Sequence, residues 1–213
     1  MTLLDHLRNA KQRPARPAGD PVEMATKRND AYRELFEGDP IRIVPDADFE
    51  RPAKFGGAVD IHLYSLEVQG AERATIAVTS GMSDYAMTNP QNGAPCRREL
   101  IQYLRQPRAE DLQRMHACAW LPLAQGFCLD VFHTLGPIPG TWPGALFVPT
   151  LVKPHAAFEM ELNGDAVRLL WLVPLRQAEV DLRVRKGVNA LLDRLTAVQP
   201  PWIFDENDRP PLV

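Results

Sequence analysis

Residues 78–90 read VTSGMSDYAMTNP. A strand-like apolar run breaks off into a polar turn that holds Gly81, Ser83 and Asp84, with Met82 and Met87 close by. Such a turn is either chemistry or architecture, and its residue types discriminate. A nucleophile elbow needs Gly-x-Ser-x-Gly, because the chain must bend sharply and pass close to its neighbours on both sides of the serine. Gly81 and Ser83 fit, but Tyr85 stands where the second glycine belongs. A phosphate-cradling loop needs several glycines and a lysine at a helix start. This stretch has one glycine and no lysine. The architectural reading does better. Gly81 can take a positive φ directly after a strand. Ser83 and Asp84 can bond to nearby backbone and stiffen the turn. Met82 and Met87 can fold back as adaptable core fillers. A stiff loop that displayed methionine and tyrosine would also serve as a protein contact, since both types are enriched in interface cores.

Working outward, AVDIHLYSLEV (58–68) places Val59, Ile61 and Leu63 on one face and Asp60, His62 and Tyr64 on the other, the pattern of a half-buried strand. Gln69-Gly70 turns the chain and RATIAVTS (73–80) returns, which predicts an antiparallel hairpin. Upstream, Asp20 as cap, Pro21 at the first helical position and Glu23 at capping-box spacing open a helix. Val22, Ala25, Tyr32, Leu35 and Phe36 make its apolar side, and Gly38 and Pro40 stop it. IRIV (41–44), a Pro/Asp-rich loop and Gly56-Gly57 follow. Downstream, RRELIQYLR (97–105) predicts a short helix ended by Pro107, and AEDLQRMHACA (109–119) a second that resumes past Pro122 after a break. LGPIPGTWPG (135–144) is a tight loop. ALFVPTLV (145–152) and AFEMELNGDAVRLLWLVPL (157–175) follow, and Asn163-Gly164-Asp165 between two apolar runs marks a hairpin. Residues 176–196 form a helix, with Val180, Val184, Val188, Leu191, Leu192 and Leu195 at steps of three and four and a kink or close-packing point at Gly187.

No repeat or linker divides the chain. The expectation is one α+β domain over 20–199, a mobile Arg/Pro/Ala-rich lead-in over 1–19 and a Pro-rich tail over 200–213. A net charge of −3 gives no electrostatic ground for a nucleic-acid or membrane-surface partner. No apolar run approaches the roughly 20 residues of a membrane-spanning helix. The first residues lack the apolar core of a secretory signal. Three cysteines without paired spacing predict no disulfide framework and a reducing cytoplasm.

Other candidate chemistry is sparse. His116, Cys118, Cys128 and His133 are zinc-type ligands in an H-x-C-x9-C-x4-H pattern. His116 and Cys118 lie two apart on a predicted helix and so diverge. Burial explains the cysteines better, and no metal or other cofactor is assigned. A hydrolase would use Cys128 or Cys118 with His133 as a nucleophile–base pair, but no elbow or glycine flanks any cysteine. Asp84, Glu99 and Asp130 are carboxylates that the fold could bring together. Trp120 and Trp171 sit in apolar surroundings and read as core. Trp142, Trp202 and Phe204 fit partner anchors or aromatics tucked back onto the domain.

Four stretches together resemble the suppressor of fused-like domain, in a short, bacterial-type form. SGMSDYAM (80–87) is similar to the family's Gly-Met-Ser-Asp-x-Pro-Met loop, with Ala86 in place of the proline. RRELIQYL (97–104) resembles the family's x-Glu-Leu helix that follows it, FHTLGPIPG (132–140) its His-Thr turn and Pro/Gly loop, and LLWLVPLRQAEVDLRVRKGVNALLDRL (169–195) its strand, turn and aliphatic helix. The resemblance spans roughly 40–196 and implies a mixed, largely antiparallel sheet with helices packed on it, no second domain of the animal type, and no enzymatic activity. It also implies protein binding: animal members sequester a transcription factor, and many short members are proposed as immunity proteins that neutralise toxins. On that basis Met82, Ser83, Asp84, Tyr85, His133, Thr134 and Trp142 are candidate partner contacts, and Gly81, Met87 and Glu99 structural members of the loop. The alternatives from other classes are the Cys/His hydrolase and a small-ligand binding module.

Overall fold

The structure is a computed structural model, which describes residues 19–50, 57–67, 73–89, 93–137, 142–150, 160–197, 211 and 213. In chain order these form α1 (Pro21–Leu35), β1 (Arg42–Val44), β2 (Asp60–Glu67), β3 (Arg73–Ser80), β4 (Met87–Thr88), β5 (Pro95–Leu104), α2 (Ala109–Gln125), β6 (Thr134–Leu135), β7 (Gly144–Pro149), β8 (Met160–Leu162), β9 (Asp165–Leu175), α3 (Gln177–Lys186) and α4 (Val188–Ala197). Short 3₁₀ turns cover Asp46–Asp48 and Met82–Asp84. The strands make one sheet in the order β1-β2-β3-β5-β9-β7-β6, with β4 added to β5 and β8 to β9. Every pairing is antiparallel except that of β5 with β9. The fold is therefore α+β with a mixed, mostly antiparallel sheet.

The hairpins follow their sequence signals. β2 and β3 pair from Asp60↔Ser80 to Glu67↔Arg73. Asn163 and Gly164, at φ of 53° and 83°, give the turn its positive dihedrals and place Leu162 opposite Asp165. Asp20 caps α1 by accepting the amide of Val22 at 2.8 Å.

Residues 97–105 are not a helix. All but Arg105 lie in β5, the middle of the sheet, which pairs with β3 on one edge and β9 on the other. Both of its faces are covered. Leu100 and Leu104 enter the core beneath α2, while Ile101 and Tyr103 enter the core shared with α1, α3 and α4. A strand buried on both sides has no polar face, so its apolar residues need not alternate. The doublets Leu100-Ile101 and Tyr103-Leu104 then imitate helical spacing. The same two-sided burial claims β2, where His62 and Tyr64 are buried along with Ile61 and Leu63.

Other expectations shift in smaller ways. α2 runs through Pro122 without a break and ends at Gly126, whose left-handed φ of 71° suits a C-cap glycine. The last helix is two, α3 and α4, divided at Gly187 with φ 84° and ψ 174°, a conformation only glycine adopts easily. The buried stripe of α1 is Met24, Arg28 and Tyr32, and Val22 is 74% exposed. On α3, Leu182 is buried and Val184 exposed. The expectation of unpaired cysteines is also corrected: Cys96 on β5 and Cys128, which follows α2, form a disulfide, and Cys118 is free and buried. The bonded pair lie 32 residues apart, across a whole helix, and such spacing announces nothing in sequence. No helix among the described residues is long and apolar enough to cross a membrane. The lead-in over 1–18, the Gln69-Gly70 turn, the loop residues 138–141, and Trp202 and Phe204 lie outside the described residues.

Candidate functional site

The turn at 81–85 sits on a buried carboxylate. Glu99 projects from β5 beneath it. One carboxylate oxygen accepts the amide of Gly81 at 3.1 Å, the amide of Ser83 at 3.0 Å and the hydroxyl of Ser83 at 2.6 Å. The other accepts the hydroxyl of Thr79 at 2.6 Å. Four donors to one fully buried group satisfy the rule that a charge leaves water only when paired and bonded.

Two arginines close the arrangement. Arg28 arrives from α1, with its Nε donating to the Ser80 hydroxyl at 2.9 Å, its Nη1 bonded to Asp84, and its Nε 3.8 Å from the Glu99 carboxylate. Arg97 comes from β5. Its Nη1 donates to the carbonyls of Ser83 at 2.7 Å and Asp84 at 3.2 Å, and its Nε donates to Asp165 at 2.9 Å. The turn is thereby tied to the first helix, the central strand and the β8–β9 hairpin at once. Burial pushes the Glu99 carboxyl up, and the Arg28 charge, then Ser83 and Thr79, pull it back. Asp84 is raised by burial against the same arginine. Burial also disfavours the charged Arg28, but Glu99 and Asp84 outweigh it and hold the guanidinium protonated.

Close packing fixes the turn from the other side. Gly81 has φ 127°, and a Cβ there would lie 2.1 Å from the Ala58 carbonyl oxygen. A Cβ on Gly57 would lie 1.3 Å from the Tyr85 hydroxyl. Tyr85 therefore folds inward over Gly57 and reaches the ring of Trp120 at 6.4 Å.

Met82, Ser83, Asp84, Tyr85 and Trp142 are all buried. Reading them as a displayed contact surface is corrected by that burial; they make the inside of the turn and its setting. Trp142 lies under the guanidinium of Arg114, 5.4 Å from its ring centre. Met87 is buried and Glu99 and Gly81 meet in the turn. His133 and Thr134 are half-buried elsewhere, at the β6 end of the sheet. Of the three carboxylates, Asp84 and Glu99 converge on Arg28, while Asp130 pairs with Arg98 at 2.9 Å.

The metal and thiol constellations come apart. His116 bonds Asp46 at 2.7 Å, Trp120 donates to the same Asp46 oxygen at 2.9 Å, and Phe49 stacks on the His116 ring at 4.3 Å. Cys128 is bonded to Cys96, and burial pushes the Cys118 thiol far up, away from the nucleophilic thiolate. No group of three His, Cys, Asp or Glu among the described residues could hold a metal ion. A cleft of about 480 Å³ lies between β1 and the start of α2, lined by Arg42, Val44, Phe49, Leu112 and Arg114.

The segment that leaves α2 is also braced. Asp130 takes its own turn amide, Val131, at 2.9 Å, and the Asp130 amide donates to His133 Nδ1 at 3.2 Å. The Phe132 amide donates to the Phe147 carbonyl at 2.6 Å, and the Phe147 amide returns a bond to the His133 carbonyl at 3.0 Å. Phe132 has φ 63° and is 45% exposed. Sequence reasoning passed over Phe132, Arg28, Arg97 and Arg98. Only Arg28 left a usable trace, as a cation in the register of Met24 and Tyr32 on the buried stripe of α1.

Residues 57–208 match the family described as Suppressor of fused protein (SUFU), and the chain belongs to that family. No curated protein matches the sequence. The fold is similar to a SUFU homolog from Neisseria gonorrhoeae, with a TM-score of 0.61 at 11% identity over 90% of this chain and 98% of that one. It is similar to a chain of the Sufu–Fu complex, with a TM-score of 0.59 at 10% identity over 92% and 93% of the two chains. Drosophila Suppressor of Fused matches with a TM-score of 0.53 at 10% identity, over 72% of this chain and 42% of its own.

Proposed function

We propose that this member of the suppressor of fused family is a non-enzymatic protein-binding domain. The family membership over residues 57–208 carries the reading, because a related chain is described in a complex with another protein, Fu. The geometry agrees with it. Three groups that could do chemistry are committed to the fold: Glu99 to four donors, Cys128 to Cys96, His116 to Asp46. Binding needs none of them free; it needs a rigid surface with an apolar centre.

The surface we assign is the turn Phe132–His133–Thr134. It keeps two of the contacts expected from sequence and adds an exposed aromatic whose backbone amide is bonded to the Phe147 carbonyl. Rigid aromatics are the usual anchors of such interfaces, since little side-chain entropy is lost on docking. The buried Met82–Tyr85 turn supports the sheet rather than touching the partner. The partner class is a protein, with toxin neutralisation as its finer form and residues 20–199 as the working unit. The cytoplasmic assignment rested on unpaired cysteines, and the Cys96–Cys128 bond removes that ground.

The test is affinity capture with the tagged chain, with Phe132→Asp and Tyr85→Ala alongside. One dominant partner, lost in Phe132→Asp at unchanged melting temperature, is expected. A partner that survives Phe132→Asp moves the surface elsewhere. A metabolite that raises the melting temperature, and stops doing so in Phe49→Ala, would favour the cleft beside α2 and the small-ligand reading.

A further inference from the structure

Cys96 and Arg98 lie two apart on β5 and so project to one face of the sheet. Cys128 and Asp130 lie two apart in the segment that leaves α2. The disulfide joins the first member of each pair, and an ion pair of 2.9 Å joins the second. Residues 127–133 are thus fastened to the central strand by two neighbouring rungs, one covalent and one ionic. The segment they fasten is the one that ends in Phe132.

We propose that Cys96–Cys128 is a reversible redox site that fixes or frees the 127–133 turn. The inference rests on the protein-binding reading only in what it regulates, namely the Phe132 contact. The chemistry is thiol–disulfide exchange with a glutathione couple or a dithiol oxidoreductase. A thiolate of the reductant attacks one cysteine sulfur, the S–S bond breaks, and a mixed disulfide forms while the other cysteine leaves as thiolate. A second thiolate of the reductant then displaces the first cysteine. The protein gains two electrons and two protons as two thiols, and the reductant ends as a disulfide. Oxidised glutathione runs the same steps in reverse.

Two features confine the effect to the turn. The Arg98–Asp130 rung remains after reduction, so the segment is loosened rather than cast off. Cys96 and Cys128 share one buried cluster with Leu112, Met115, Ala119 and Leu123 of α2, and those apolar contacts do not require the covalent bond. The third cysteine is the most deeply buried: Cys118 is 0% exposed, against 6% for Cys96 and 4% for Cys128, and burial pushes its thiol far up. Without the covalent rung the turn recovers conformational freedom, and the positive φ of Phe132 loses part of what over-determines it.

Hydrogen exchange of the full chain in reduced and oxidised glutathione buffers, with alkylation to count thiols, tests this. Reduction should expose two alkylatable thiols and leave the third closed. The amides of Phe132 and His133 should exchange about tenfold or more faster, with the β5–β9 pairing unchanged. Oxidised glutathione should restore both, and Cys96→Ser/Cys128→Ser should reproduce the reduced state. A bond that resists reduction without denaturant overturns the proposal. So does cooperative unfolding on reduction, which would make the bond a staple, and so does unchanged exchange at 132–133. None of these readouts involves a partner, so a failed Phe132→Asp capture and a failed redox site are told apart.

Discussion

Ser83 donates both its hydroxyl, at 2.6 Å, and its amide, at 3.0 Å, to a single oxygen of Glu99. A surface-type turn is thus anchored on a charge in the centre of the sheet. Removing Glu99 strips four donors of their acceptor and weakens the hold on Arg28. Glu99→Ala should cost about 3–5 kcal/mol, and Ser83→Ala about 1–2 kcal/mol. Urea unfolding at pH 7 measures both. Values within the range of ordinary surface substitutions would mean that the turn is held by packing instead.

Arg28 answers two buried carboxylates at once. Arg28→Ala should therefore cost about 3–5 kcal/mol, since it leaves both charges without their counter-charge. Adding Asp84→Asn should recover part of the loss. A double-mutant cycle should give a coupling of about 1–3 kcal/mol. Simple additivity would show that the two side chains do not work as a pair.

Gly81 and Gly164 both have positive φ, yet they differ in surroundings. A Cβ at Gly81 meets the Ala58 carbonyl at 2.1 Å, and one at Gly164 meets nothing within 4 Å. Gly164→Ala should lose only the backbone preference, about 1 kcal/mol. Gly81→Ala must also move backbone in the β2 lead-in and should cost about 3 kcal/mol or more. Thermal melts of the two variants order them directly.

His62 predicts a pH response. Burial first of all lowers its pKa from 6.5 to about 4, with Asp60 opposing and Arg28 adding to the shift. Its Nδ1 has no hydrogen-bond partner among the described residues. The unfolded chain therefore takes up the His62 proton before the folded one. The stability due to neutral His62 is complete above pH 6.5 and is lost as pH falls toward 4. The loss is at most about 3 kcal/mol. Asp84 and Glu99, raised in the fold, act in the opposite sense at acid pH. Comparing wild type with His62→Gln between pH 7 and pH 4 cancels them. A pH slope unchanged in the variant would refute the assignment to His62.

Local signals in the sequence carried the hairpins, the α1 cap and the family of the 80–87 turn, because each is written within a few residues. β5 was misread because burial on both faces erases the alternation that marks a strand, and Leu100, Ile101, Tyr103 and Leu104 fall at helical intervals instead. The anchoring of the turn was illegible for another reason. Arg28 meets Asp84 across 56 positions and Ser83 meets Glu99 across 16, and no spacing rule links them. Methionine, tyrosine and aspartate in a turn look the same whether they face water or the core. The burial of Met82–Tyr85 and what a Cβ on Gly57 or Gly81 would strike show that the turn is pressed inward.

The parallel pairing of β5 with β9 sets an order of events during synthesis. Arg97 faces Val167, about 70 residues later in the chain. The β2–β3–β5 portion can assemble as soon as it leaves the ribosome, but one edge of β5 stays bare until residues 165–175 emerge. A stalled or truncated nascent chain would present the unpaired edge of β5 over Arg97–Ile101 to its neighbours. Translation of the last quarter of the chain is what takes it out of reach of aggregation.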